Sequence, residues 1–295
     1  MLPVVGTRSA PDALSSWGYS QARALQHGLA LPPAIKIGAR WDDASQRDRF
    51  ARARGAGLLD YAEVNYPIGA TEDPSSIELP ILAHSSTNPL ASARGLDPAV
   101  MQTVKAGADA ADSEWVGEHL AWNGFADSGT LGYVISPLFS EDFCEVAVEN
   151  ARSLGAYYGR PLAIELGPVY ARSGDFESEM HFLAAVARAA DAHVILDVTH
   201  WMISNHNLQR PEGYGLDALD ADRVIELHIS GFQAGKSSRH WHDAHFLAPT
   251  DEQLDVVAGL ARSLPRLRGI TVEHAPAAPE ADFVATLERL HTRLR

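Results

Sequence analysis

A chain of 295 residues with 46% hydrophobic residues can bury one large core, and it lies near the size at which cores divide into domains. Its 24 basic and 38 acidic residues give a formal net charge of −14, and no run of lysine or arginine suggests a nucleic-acid partner. Cys144 is the only cysteine, which excludes an internal disulfide and a thiolate metal site of the zinc-finger kind.

The N-terminal stretch, residues 1–33, lacks the basic start and apolar run of a signal peptide. No segment approaches the roughly 18 consecutive apolar residues that a membrane-spanning helix needs. We therefore expect a cytoplasmic protein without membrane contact. No repeat, low-complexity segment or Gly/Ser linker divides the chain, so residues 34–295 are predicted to form one domain, preceded by an N-terminal extension over residues 1–33.

Eight short apolar runs predict β-strands. In chain order they are Ile35–Gly38, Tyr61–Val64, Ile81–His84, Trp115–His119, Leu162–Glu165, Val194–Asp197, Val224–Ile229 and Ile270–Glu273. Helix signals separate most of them: Ser140 before Glu141 and Asp142 is a typical N-cap with an acidic first turn, and Thr250 and Gln253 have capping-box spacing. This alternation favours parallel strands joined by right-handed crossovers. The predicted fold class is α/β, a single (β/α)8 TIM barrel, with a doubly wound open sheet as the alternative.

Six consecutive predicted strands carry, at their last or next-to-last position, a residue that commonly binds metals. These residues are His84, His119, Glu165, Asp197, His228 and Glu273. In a parallel barrel all strand ends point to one face, so the six side chains should converge there. Imidazoles and carboxylates without thiolates suit iron, manganese or zinc, and several carboxylates favour a site in which one of them bridges two ions. The sequence therefore predicts a multinuclear metal site at the mouth of the barrel.

Two local spacings extend the predicted ligand set. Asp197 is followed three residues later by His200, and His240 and His242 would point to the same side of an extended segment. A lone histidine or aspartate at a strand end is more often a hydrogen-bonded loop anchor. Nine such residues at one face would crowd carboxylates together without a compensating cation, which is costly, so we predict that all nine are ligands.

Three polar residues beside the predicted mouth are candidates for positioning a substrate: Asn123, His206 and Asn207. Loop capping is an equally good interpretation, since asparagine often satisfies the backbone of turns. His245 and His274 also lie near the predicted mouth, where each could support a ligand or contact the substrate.

The same residues carry a resemblance to a known family, over the chain from about Ile35 to the C terminus. The matching stretches are Gly117-Glu118-His119-Leu120-Ala121-Trp122, Ile164-Glu165, Leu196-Asp197-Val198 with Ser204 to Asn207, Glu226-Leu227-His228-Ile229, Trp241-His242-Asp243 and Val272-Glu273. The chain resembles the multinuclear non-haem iron oxygenases that modify ribosomally made peptides, including enzymes of methanobactin and thiaglutamate biosynthesis. The resemblance implies two or three iron ions per chain, O₂ as co-substrate, oxidation of a precursor peptide, often at cysteine, and a partner protein that binds the leader peptide.

A more distant resemblance links the chain to endonuclease IV and the xylose-isomerase-like barrels. By that analogy His84, His119 and Glu165 would hold one metal, and Glu165 would bridge to a second metal. The second metal would be held by Asp197, His228 and Glu273, and a third by His200, His240 and His242. Leu166, Thr199-His200, Phe232 and His240 differ from the residues that many peptide-modifying members have at these places, so we expect the third site to be altered.

Two other functions remain open at this point. A zinc- or manganese-dependent hydrolase or isomerase, of the endonuclease IV or sugar isomerase type, could use the same ligands, although the net charge of −14 argues against DNA as its substrate. A noncatalytic metal-binding subunit of a biosynthetic complex is the second alternative.

Overall fold

The protein is described here by a computed structural model that covers residues 35–69, 73–125, 127–128, 130–131, 134–236 and 239–295. The predicted N-terminal extension, residues 1–33, lies outside the described residues. None of the described helices is both long and apolar enough to cross a membrane.

Eight parallel strands close into a barrel. They are β1 (Lys36–Trp41), β2 (Tyr61–Tyr66), β3 (Ile81–Ser85), β4 (Val116–His119), β5 (Leu162–Glu165), β6 (His193–Asp197), β7 (Val224–Ile229) and β10 (Gly269–Val272). The strands follow chain order around the barrel, and β10 pairs with β1 to close it. Each of the eight predicted runs falls on one of these strands. The predicted TIM barrel is thereby confirmed, and the open sheet is excluded.

Seven helices surround the barrel in the described part of the chain. They are α1 (Arg47–Gly55), α2 (Pro98–Ala110), α3 (Glu141–Tyr158), α4 (Glu179–Ala190), α5 (Val198–Asn207), α6 (Asp251–Ser263) and α7 (Glu280–Leu294). The predicted caps are present: the Ser140 side chain accepts from the backbone N–H of Phe143, and Thr250 and Gln253 form a reciprocal capping box. The side chains between helices and strands form a large buried core.

The connection between β7 and α6 contains a two-stranded hairpin that was not predicted from the sequence. Strands β8 (Phe232–Ala234) and β9 (Trp241–Asp243) pair antiparallel, with Phe232 opposite Asp243. The hairpin follows the C-terminal end of β7, so it stands at the mouth of the barrel.

The lower part of the barrel interior is filled by side chains. A separate buried cluster contains Tyr61, Leu82, Trp115, Ala163, Ile195 and Ile225. Beside it, the buried carboxylate of Glu226 accepts hydrogen bonds from the Tyr61 hydroxyl at 3.0 Å, Thr271 Oγ1 at 2.6 Å and Trp115 Nε1 at 2.8 Å. This packed layer closes one end of the barrel, which leaves the C-terminal ends of the strands as the place for a site.

Candidate metal centre

The Glu165 carboxylate, at the end of β5, lies among four imidazoles. Its Oε2 atom is 3.0 Å from Nε2 of His84 and 3.5 Å from Nε2 of His119. Its Oε1 atom is 3.4 Å from Nδ1 of His200 and 3.6 Å from Nδ1 of His228. Residues from β3, β4, β5 and β7 and from α5 therefore meet at one carboxylate, because their parallel strands end at the same face of the barrel.

Two overlapping groups of potential metal ligands share Glu165. His84, His119 and Glu165 form one group, and Glu165 forms the other with Asp197, His228 and Glu273. The ligand atoms within each group lie within 4.8 Å of one another. Both combinations are those predicted from the sequence.

The spacing between Asp197 and His200 has a local explanation. Helix α5 begins directly after β6, and Asp197 is its N-cap residue. Asp197 Oδ1 accepts a hydrogen bond from the backbone N–H of His200 at 2.6 Å, which leaves Oδ2 for the site. An N-cap side chain bonds the third residue of the helix, so this one interaction places both side chains at the mouth.

A third group of potential ligands consists of His200, Asp243 and His245. Asp243 Oδ2 is 3.6 Å from His200 Nε2 and 2.9 Å from His245 Nε2. His245 Nε2 also lies 3.6 Å from Glu273 Oε2, so the third group adjoins the second. Asp243 Oδ1 accepts from Ser230 Oγ at 2.9 Å, which fixes the orientation of the carboxylate.

The third group contains neither His240 nor His242, which were predicted as ligands. Both residues are exposed, and neither belongs to any of the ligand groups found among the described residues. Side chains alternate along a strand, and in β9 it is Asp243 that faces the site. His242 points away and stacks on Tyr170, with ring centroids 5.7 Å apart. An Asp-x-His spacing is present at Asp243 and His245, three residues after His240, whereas the departures at Thr199-His200 and Phe232 remain.

The buried polar atoms of these groups fit a metal centre. Four of them have no hydrogen-bond partner: Glu165 Oε1, Asp197 Oδ2, His200 Nε2 and His228 Nδ1. A buried polar atom without a partner costs about 1–3 kcal/mol. The unpaired atoms lie close together and are of the kinds that bind metals. Bound cations would therefore offset the free-energy cost of burying them.

Other hydrogen bonds aim the imidazoles at the centre. His119 Nδ1 lies 3.2 Å from the Ser85 carbonyl oxygen, and His200 Nδ1 lies 3.2 Å from the Leu166 carbonyl oxygen. A carbonyl only accepts, so each Nδ1 is the donor and each Nε2 carries the lone pair that a metal needs. Leu166, at a place where many peptide-modifying members have asparagine, takes part here through its backbone.

Comparison with known proteins identifies the family. Residues 71–292, about three quarters of the chain, match the family of RiPP precursor modification enzymes MbnB/TglH/ChrH, where RiPP denotes a ribosomally made and then modified peptide. The chain belongs to this family. A UPF0276 protein of Caulobacter vibrioides is 27% identical over 190 residues, which cover 61% of this chain and 67% of that relative. For UPF0276 protein PM0211 of Pasteurella multocida the identity is 26%, and 62% of that relative is covered.

Solved structures share the fold at low sequence identity. D-psicose 3-epimerase in the presence of D-fructose superposes with a TM-score of 0.56 at 13% identity, over 88% of this chain and 98% of that one. A xylose isomerase-like TIM barrel protein from Mycobacterium smegmatis in complex with magnesium gives 0.54 at 12% identity, over 90% and 100%. This member of the RiPP modification family therefore has the xylose-isomerase-like barrel.

Burial and charge set the protonation states in this family member. Burial lowers the pKa of His119 to about 4, which leaves a neutral imidazole able to bind a metal. Burial also raises the pKa of Asp197 to about 7, and the nearby Glu273 and Glu165 charges act in the same direction. Burial opposes ionisation of Glu165 too, but the nearby His228 charge and the hydrogen bond with His84 hold the pKa of Glu165 well below the usual range. The centre thus concentrates carboxylates that need positive charge nearby.

A pocket of about 280 Å³ opens above the centre. Its lining includes five residues of the ligand groups, namely His119, His200, Asp243, His245 and Glu273. Arg40, at the end of β1, also lines the pocket and lies 3.3 Å from Glu273 Oε1 and 3.2 Å from His245 Nδ1. Sequence reasoning missed Arg40, because a lone arginine near a strand end carries no spacing signal.

The three predicted substrate-positioning residues contact neighbouring loops, and none of them lines this pocket. Asn123 accepts from Ser92 Oγ at 2.9 Å through its side chain and donates to it at 2.7 Å through its backbone. The Asn207 amide pairs with the backbone of Trp241 through two hydrogen bonds, of 2.8 and 2.9 Å. His206 stacks on Trp241 with ring centroids 3.8 Å apart. His206 and Asn207 therefore anchor the hairpin that carries Asp243.

The glycine of the Gly-Glu-His string has a steric role. A Cβ atom on Gly117 would lie 2.2 Å from Cδ2 of the His84 ring, so His84 packs directly on the β4 backbone. The following residue, Glu118, is buried and accepts from the backbone N–H of His119 at 2.9 Å. Only glycine at this position lets His84 and His119 approach Glu165 together.

We predict that Gly117→Ala displaces His84 and weakens metal binding, because the added methyl group overlaps the imidazole. Metal per chain, measured by elemental analysis after anaerobic loading, should fall by one ion, while the fold is kept. Gly155→Ala on α3, where a Cβ has its nearest neighbour at 4.0 Å, is the control and should retain full loading. Equal loading of the two variants would refute the steric role of Gly117.

Proposed function

We propose that the protein is an oxidoreductase that uses O₂ and two or three iron ions to modify a ribosomally made precursor peptide, with cysteine as the residue modified. The observation that carries the proposal is the shared carboxylate of Glu165, around which three adjoining groups of nitrogen and oxygen ligands converge. A mixed imidazole and carboxylate set without thiolates suits iron. Family membership supplies the peptide substrate.

We assign each proposed metal ion to one ligand group of this chain. His84, His119 and Glu165 would hold the first ion, and Asp197, His228 and Glu273 would hold the second with Glu165 as the bridge. The third ion would be held by His200, Asp243 and His245. Bound iron would supply redox chemistry toward O₂ and a coordination position for a cysteine thiolate. Arg40 would balance the negative charge of Glu273 at the pocket wall.

Exposed apolar side chains support a peptide substrate. Of the seven large hydrophobic residues that are prominently exposed in the described part of the chain, six lie in loops at the mouth. We call these six the apolar rim: Phe125, Leu131, Ile135, Leu138, Tyr170 and Phe246. Ile135 and Tyr170 also line the pocket, so the rim continues into the site. Exposed apolar surface of this kind marks binding sites.

The size of the pocket fits this arrangement. A pocket of about 280 Å³ is at the small end of the range for ligand sites. One side chain of a peptide can enter it while the flanking residues lie on the apolar rim. A flexible peptide loses entropy when it is ordered in this way, and we propose that a partner protein holding the leader peptide shares that cost.

The proposal predicts peptide-dependent oxygen consumption. Protein loaded anaerobically with ferrous iron should consume O₂ when a cysteine-containing precursor peptide from the same organism and the partner protein are added, and the peptide mass should change. Zinc-loaded protein should do neither, since zinc has no redox chemistry. Peptide or sugar turnover with zinc or manganese alone would instead establish a hydrolase or isomerase. Iron binding without any turnover would favour a noncatalytic subunit.

A second prediction concerns the apolar rim. Leu138→Ser and Phe246→Ser should each raise the KM for the peptide about 10-fold, since burial of such a side chain contributes about 1.5–3 kcal/mol. The value of kcat and the iron content should stay unchanged. Tyr157→Ser is the matched control, because Tyr157 is comparably exposed but lies on α3. A rise in KM of equal size in the control would show that the rim has no special role.

A further inference from the structure

The strongest feature outside the ligand groups already assigned is a buried glutamate in the barrel interior. Glu63 lies in the middle of β2 and is only 2% exposed. The sequence analysis did not select it, since it does not end a strand. Its Oε2 atom is 3.1 Å from Nε2 of His228, and its carboxylate lies within 4.8 Å of ligand atoms of both His84 and His228.

The two ring nitrogens of His228 have different surroundings. Nε2 faces Glu63, whereas Nδ1 lies 3.6 Å from Glu165 Oε1 and 3.9 Å from Glu273 Oε1. Nδ1 has no hydrogen-bond partner. An ionised carboxylate only accepts, so the hydrogen bond to Glu63 requires the proton on Nε2 and leaves the Nδ1 lone pair directed at the second ligand group.

The neighbouring Glu226 does not serve the same purpose. Its Oε1 atom lies 3.6 Å from His228 Nε2, beyond hydrogen-bond distance. Both of its oxygens already accept hydrogen bonds, from Tyr61 and Thr271 on one side and Trp115 on the other. Glu63 is therefore the acceptor that orients His228.

We propose that Glu63 is a positioning residue that holds the proton of His228 on Nε2, so that His228 binds the second metal through Nδ1. The inference rests on the metal centre of the proposed function, but not on iron or O₂. Glu63 also lies within 4.8 Å of a ring nitrogen of His84, but its hydrogen bond is to His228, so the expected effect is on the second metal position. Partners of this kind typically change metal affinity about 10–100-fold when they are removed.

Zinc titration of the metal-free protein tests the proposal without any turnover. Glu63→Leu removes the acceptor and should weaken zinc binding at one position about 10–100-fold. Glu63→Gln keeps an acceptor oxygen and should stay within a few-fold of the unaltered protein. Glu226→Gln is the matched control for loss of a nearby buried charge, and it should also stay within a few-fold.

Nitrogen-15 NMR of histidine-labelled, zinc-loaded protein provides the second readout. In the unaltered protein and in Glu63→Gln, the His228 signals should show zinc on Nδ1 and a proton on Nε2. In Glu63→Leu that signature should be lost, while circular dichroism shows an intact fold. Unchanged affinity and an unchanged His228 signature in Glu63→Leu would overturn the positioning role. Absence of zinc binding in the unaltered protein would overturn the metal centre itself. Normal zinc binding by a protein whose ferrous-iron-loaded form consumes no oxygen with peptide would reject only the oxygenase.

Discussion

The carboxylate of Glu165 is the contact on which the site depends. Two of its imidazole neighbours approach one oxygen and two approach the other, so a single side chain joins the three ligand groups. This arrangement is possible because β5 ends at the mouth between β4 and β6. Glu165 is in register with His119 of β4 and with Ile195 of β6, and β6 continues for two residues to Asp197. Buried beneath a pocket of modest size, the carboxylate requires positive charge, which protonated histidines or metal ions supply.

A few residues next to the ligand groups hold the ligand side chains in position. Asp197 caps α5 with one oxygen and offers the other to the centre, and Asp243 divides its oxygens in the same way between Ser230 and the centre. Gly117 has no Cβ atom, so the His84 ring can pack directly on the β4 backbone. The local fold around each of these residues fixes the position of a ligand side chain. The geometry of the ligand groups is therefore a consequence of the fold.

Much of this could be predicted from the sequence, because the eight apolar runs, and the ligand-type residues at the ends of six of them, carry a strong signal. The hairpin register could not be predicted. The run from His240 to His245 contains two pairs with the same spacing, His240 with His242 and Asp243 with His245. In an extended segment the two pairs would point to opposite faces. The pairing of Phe232 with Asp243 decides between them, since a slip of one residue exchanges the faces. Glu63 could not be identified as a site residue from the sequence, because it lies within β2 and faces the interior only once the barrel is closed.

The most direct test of the account is the number of metal ions per chain in two variants of the same hairpin, Asp243→Ala and His242→Ala. Each protein would be loaded anaerobically with ferrous iron and analysed for iron by mass spectrometry. The account predicts two or three ions in the unaltered protein, the loss of one ion in Asp243→Ala and no loss in His242→Ala. An unaltered protein without bound iron, or loss of an ion in His242→Ala but not in Asp243→Ala, would contradict it.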